Sequence, residues 1–106
     1  MPYPIPVRYA AEAISDIDGI FNYIARDNPL AAEAVLAAIE DAVDLLCYFP
    51  RKGRKTRERG VKALPLSRFP YIVFYRVIEG ELVVLHVYHG ARRHPGFQEP
   101  DVEFAS

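Results

Sequence analysis

Two runs of β-branched and aromatic residues, Ile72-Val73-Phe74-Tyr75-Arg76-Val77 and Leu82-Val83-Val84-Leu85-His86-Val87-Tyr88, are separated only by Ile78-Glu79-Gly80-Glu81. Such side chains fit the pleated surface of a strand, and two runs this close in sequence read as a β-hairpin. Glu-Gly is a weaker turn pair than Asn-Gly, but Gly80 supplies the positive φ that a two-residue loop needs. Both runs are almost continuously apolar, which predicts burial on much of both faces and so requires a cover from elsewhere in the chain. The stretch 64–93 is therefore the part around which the rest must be organised.

The N-terminal half supplies that cover. Ile5, Val7 and Tyr9 alternate with Pro6 and Arg8 as in a short strand, and the prolines at 2, 4 and 6 confine it to an edge or a strand start. From Ala10 the period becomes helical: Ala13, Ile14, Ile17, Ile20, Phe21 and Ile24 share a stripe, with Glu12, Asp16, Asp18 and Asn22 opposite. Asp27-Asn28-Pro29 ends this helix and starts another, Asn28 as N-cap and Pro29 in the first turn. The second helix places Val35, Leu36, Ile39, Val43 and Leu46 on one side and stops at Phe49-Pro50. So short a link predicts an antiparallel helical hairpin.

Residues 51–60 read as a loop, 61–66 as a strand interrupted by Pro65, and Ser67-Arg68-Phe69-Pro70 as the turn into the main hairpin. The expected order is β-α-α-β-β-β, an α+β fold with a helical hairpin packed on a largely antiparallel sheet. A chain of 106 residues has room for one domain, 1–106, with 94–106 an irregular tail in which Phe97 and Phe104 are available to pin it to the body.

Charge is segregated along the chain. Between residues 10 and 50 there are eight acids against one base, Arg26; between 51 and 76 there are nine bases against one acid, Glu58. Such a dipolar surface suits two partners, or one partner carrying both signs. On composition alone 51–60 is a solvated loop, and its lack of aromatic residues argues against a reader of single-stranded nucleic acid. The lone Cys47, in a helical pattern, reads as a buried thiol, and no spacing suits a metal. MPYPIPVRY has no signal-peptide core, and no run is long enough to span a membrane, so a cytoplasmic location is expected.

Several side chains stand out as chemistry candidates. His86 lies inside the last run and reads as a buried, hydrogen-bonded histidine; His89, of opposite strand parity, sits at the exit and is a weak candidate for acid–base work. Arg92 and Arg93 follow at the strand end, where a cation can meet a phosphate or a protein partner. Tyr71 and Tyr75 share one strand face and are expected to pack with their hydroxyls at the rim, as is Tyr23 on the first helix.

An ordered set runs through most of the chain: Ala13, Asp16-Ile17, Ile20, Tyr23-Ile24-Ala25, Asn28-Pro29 and Ala31-Ala32, then Phe49-Pro50, Gly53-Arg54, Phe69-Pro70-Tyr71, Val73, Phe74-Tyr75-Arg76 and His89-Gly90-Ala91-Arg92. It resembles the RelE/ParE superfamily of type II toxin-antitoxin toxins, and the pieces from Pro70 to Arg76 and from His89 to Arg92 look more like the ParE (plasmid stabilisation) branch than the RelE branch. The resemblance implies a toxin neutralised by a cognate antitoxin, forming a hetero-oligomer with it and meeting DNA only indirectly through it. RelE-like toxins cut mRNA on the ribosome, which calls for cations at the scissile phosphate and a group to move a proton. Where that branch carries lysines and an arginine, this chain has Ala63, Pro65 and Ile72; only Arg92 remains, and Gln98 falls at the later tyrosine position. ParE-like toxins inhibit DNA gyrase through a binding surface, with no cofactor, and that is the expected activity. The alternatives are a RelE-like mRNA endonuclease and a non-toxic corepressor remnant. No residue is assigned a catalytic role; Arg51, Arg54, Arg57, Arg59, Arg76 and Arg92 are the expected partner contacts.

Overall fold

A short strand, β1 (Val7–Tyr9), leads into helices α1 (Ala11–Ala25) and α2 (Pro29–Tyr48), followed by strands β2 (Arg54–Lys55), β3 (Lys62–Pro65), β4 (Tyr71–Ile78) and β5 (Glu81–His89). These elements come from a computed structural model that describes residues 3–90. The strands form one sheet in the order β1-β5-β4-β3-β2, with β1 parallel to β5 and the other neighbours antiparallel. The fold is the expected α+β arrangement. It differs in having four strands after the helices instead of three, because Arg54 and Lys55 pair with Ala63 and Lys62. Two consecutive cations show no hydrophobic period, so this strand exists only through its partner. The expected tail, 94–106, lies outside the described residues.

The hairpin turn is tighter than a single glycine would require. Glu79 and Gly80 both have positive φ, 51° and 78°, the pairing of a type I′ turn, whose twist matches that of the flanking strands. Further along, Phe74 faces His86 but Tyr75 faces Val84, so Leu85 is an extra residue on β5. The bulge divides β5 into two segments, and Leu82, Val84 and Val87 all reach the core under the helices despite their uneven spacing.

Val73, Tyr75, Leu82, Val84 and Val87 meet Ala13 of α1 and Val35, Ile39, Val43, Leu46 and Cys47 of α2. The opposite face of β4 and β5 belongs to a second cluster of Val61, Ala63, Ile72, Phe74 and Tyr88. Both faces of β4 are buried from Ile72 to Tyr75, as composition demanded, whereas Val77 and Ile78 at its end are exposed. Asn28 accepts the Ala31 N–H at 3.1 Å as the N-cap of α2, with Pro29 opening the helix.

Three side chains depart from the sequence expectation. Ile14 and Tyr23 point outward, because the buried stripe of α1 runs through Ala13, Ile17, Ile20 and Ile24 and leaves them on flanking faces. Tyr75 does not keep its hydroxyl at a rim: the residue is fully buried, its O–H donates to the Pro50 carbonyl at 2.8 Å, and its oxygen accepts the Gly53 N–H at 2.9 Å. The end of α2 is thus tied to the centre of the sheet by one phenol.

Candidate partner-binding surfaces

The basic segment begins where Tyr75 holds Pro50 and Gly53. Its distal part is organised by Thr56. That hydroxyl lies 3.1 and 2.9 Å from the Glu58 and Val61 carbonyls and accepts the Glu58 N–H at 3.2 Å, while the Thr56 N–H donates to the Val61 carbonyl. A loop closed on itself in this way presents Arg57 and Arg59 outward at fixed roots; Arg51 and Arg54 are exposed too. The segment is therefore more than a solvated connection, a property composition does not reveal.

Next to it lies a groove of about 530 Å³ between α2 and β3. Ala34, Ala37, Ala38 and Leu45 on one side and Leu64 and Leu66 on the other make its apolar walls, and Asp41, Lys52 and Arg68 are the charged side chains that line it. Small residues on the helix hold the groove open. Leu45 and Lys52 also line a second hollow, of about 630 Å³, with Tyr48, Phe49, Pro50 and Arg51. Leu45, Tyr48 and Phe49 are exposed, so an apolar strip rimmed by cations runs from the end of α2 toward β3. Single exposed apolar residues are ordinary; a contiguous strip marks a contact surface.

The expected arginine contacts do not form one patch. Register aligns Arg54, Ala63, Phe74 and His86 in a row across the sheet, which puts Arg54 on the face of the second cluster. Arg76, alternating with Phe74, belongs to the same face, whereas Arg51, Arg57 and Arg59 belong to the loop. Arg92 lies outside the described residues. Ala63 is completely buried and Ile72 is 6% exposed, so two of the positions at which the resemblance leaves this chain without a cation carry packed apolar side chains.

His86 was expected to be buried and hydrogen-bonded; it is hydrogen-bonded but only half-buried, with 21% of its side chain exposed, and its partner escapes sequence reasoning. Asp16 falls on the polar side of the helical pattern, yet its Oδ2 accepts the Val87 N–H at 3.1 Å and lies 3.1 Å from His86 Nδ1. The reason is topological. β1 covers the edge of β5 only as far as Val84, and α1 carries Asp16 to the bare edge beyond. Asp16→Ala is expected to lower stability by about 1–3 kcal/mol by orphaning an amide at the bulge, read as a lower denaturation midpoint at unchanged slope. An unchanged midpoint would refute this role.

His86 stacks on Tyr88 with ring centroids 4.7 Å apart, and His89 meets Tyr71 edge-on at 5.3 Å. The Tyr88 phenol is pushed well up by burial and by the carboxylates of Asp16 and Glu12. Burial also raises Tyr75, offset in part by the Gly53 N–H, and burial with Asp44 raises the Cys47 thiol. These groups are held protonated, the reverse of what an activated nucleophile requires. Among the described residues, no group of three or more His, Cys, Asp or Glu is placed to hold a metal, and no helix is long and apolar enough to cross a membrane.

A helical hairpin packed on one face of a five-stranded mixed sheet is the α+β architecture of ParE/RelE toxin structures. The chain superposes on a chain of the chromosomal ParDE toxin-antitoxin system of P. aeruginosa with a TM-score of 0.70 and 23% identity, covering 80% of this chain and 95% of that one. It also superposes on a chain of the RelBE2 toxin-antitoxin complex of Mycobacterium tuberculosis, with a TM-score of 0.58 and 25% identity over 82% of this chain and 99% of that one. Residues 7–94 match the family model described as ParE toxin of type II toxin-antitoxin system, parDE. The chain belongs to this family and is a type II toxin-antitoxin toxin. Among curated relatives, Y4kP of Sinorhizobium fredii, named as a toxin, is 37% identical over 84% of this chain and 92% of its own length. Toxin RelE2 of Caulobacter vibrioides is 30% identical over 76% of this chain and 89% of its own length.

Proposed function

We propose that this toxin acts in the cytoplasm as a ParE-type inhibitor of DNA gyrase, by protein–protein binding without cofactor or catalysis, and that a cognate antitoxin neutralises it in a hetero-oligomeric complex. The observation that carries the reading is the burial of Ala63 and Ile72 in an apolar cluster. A ribonuclease must stabilise charge on a phosphate and relay a proton, and a packed apolar face does neither. The antitoxin reading rests on the groove between α2 and β3. An acidic amphipathic segment would place its apolar side chains between the α2 alanines and Leu64 and Leu66, with its carboxylates against the basic loop.

The test is gyrase supercoiling and cleavage of plasmid DNA with purified protein, with and without antitoxin. Inhibition with accumulated cleaved plasmid, relieved by antitoxin, is the expected result. No effect from folded protein, together with cleavage of mRNA on translating ribosomes, would replace this reading with the RelE-type activity. Should expression of the chain alone leave growth unaffected, a corepressor role would take its place.

A further inference from the structure

The two helices present the same triplet to one side of the molecule. Ile14, Ile17 and Asp18 on α1, and Leu36, Ile39 and Glu40 on α2, each set two aliphatic side chains and a carboxylate at positions i, i+3 and i+4, a spacing that puts all three on one helical face. Together with Tyr9 of β1 they line a hollow of about 200 Å³. Ile39 is buried there, whereas Ile14 is 52% exposed. The charged side chains that line the hollow are both acids, and no cation is among them.

These carboxylates are uncompensated. Among the described residues Asp18, Glu40 and Asp44, the last one turn beyond Glu40 on α2, have no ion pair, and all three are exposed. The Tyr9 phenol registers their field: burial raises it, and Glu40, Asp44 and Cys47 raise it further. It stays protonated, and its hydroxyl has no hydrogen-bond partner among the described residues. A hollow with aliphatic walls and carboxylates at its mouth suits a Lys or Arg side chain, whose methylene stem packs on apolar surface while its charged head meets the acids. Nucleic acid, itself a polyanion, is repelled from it. On α2 this face lies opposite the one that carries Ala34, Ala37, Ala38 and Asp41, so the hollow shares no residue with the groove between α2 and β3.

We propose that this hollow is where the toxin engages its target, by receiving a Lys or Arg side chain of a basic protein surface against Asp18 and Glu40. Such a cation fits the gyrase reading, on which the assignment rests, because an enzyme that binds DNA carries cations to neutralise phosphates. Target contact then falls on the acidic helices and antitoxin contact on the basic side of the molecule. The segregation of charge along the chain thereby has one partner for each sign.

Asp18→Lys combined with Glu40→Lys is expected to raise the protein concentration needed for half-inhibition of gyrase supercoiling roughly tenfold or more, since each reversal sets a cation against the incoming one. Asp18→Asn with Glu40→Gln, a milder pair at the same exposed positions, should give a smaller loss in the same direction. Circular dichroism and the denaturation midpoint check that both variants are folded. Their affinity for the antitoxin should be unchanged; a parallel fall would overturn the assignment by making the hollow part of the antitoxin surface. Inhibition by the folded variants equal to that of the wild type would overturn it while leaving the gyrase reading intact. Absence of inhibition by the wild type would remove the gyrase reading and this assignment with it.

Discussion

Gly53→Ala is expected to destabilise the protein by about 2–3 kcal/mol, although the substitution adds one methyl group to a surface loop. A Cβ at this position would clash with the Tyr75 hydroxyl and lie 2.7 and 2.9 Å from two ring carbons, Cε1 and Cζ. That ring is enclosed in the main core and cannot retreat. Relief must come from the loop, which then gives up the Gly53 N–H bond to the phenol and loosens the one to Pro50. Tyr75→Phe removes the same two bonds and leaves the Pro50 carbonyl and Gly53 N–H to find water, for an expected loss of about 1–3 kcal/mol. Because both changes break one shared contact, the double variant should fall short of the sum by about 1 kcal/mol. Denaturant titrations of the four proteins give the coupling directly. Strict additivity would mean that the phenol does not anchor this loop.

Charge reversal in the basic segment 51–60, at Arg54 of β2 and Arg57 of the loop, tests its surface. Arg54→Glu combined with Arg57→Glu is expected to weaken antitoxin binding roughly 100-fold, since each reversal replaces an attraction with a repulsion of about 1 kcal/mol or more. Both residues are exposed, and circular dichroism of the double variant checks that the fold is kept. The discriminating feature is salt. Loss of two ion pairs should flatten the dependence of affinity on ionic strength, which calorimetry at two salt concentrations measures. Unchanged affinity would sink the role of these arginines and leave the groove between α2 and β3 as the sole support for the antitoxin surface.

Much of this architecture was legible in the residues. The β4–β5 hairpin followed from two β-branched runs and a turn that only a positive-φ residue can make. The second helix was equally legible, because Asn28 and Pro29 fix its start and its apolar stripe matches the face it buries. These features depend on neighbours in sequence, and local chemistry decides them. Glu79 was less visible: only the paired twist of the strands draws a glutamate to φ 51°.

What the sequence determined by itself was the α+β class, the helical cover, the segregation of charge and the family resemblance, since periodicity, caps and composition act over a few residues. The tertiary structure alone decided that Arg54 and Lys55 form a strand, that Tyr75 reaches back to Pro50, and that Asp16 meets Val87 across 71 residues of chain. Each is a pairing between groups far apart in sequence. A hydrogen bond or a ladder pair has two ends, and the pattern around one end does not say where the other will be.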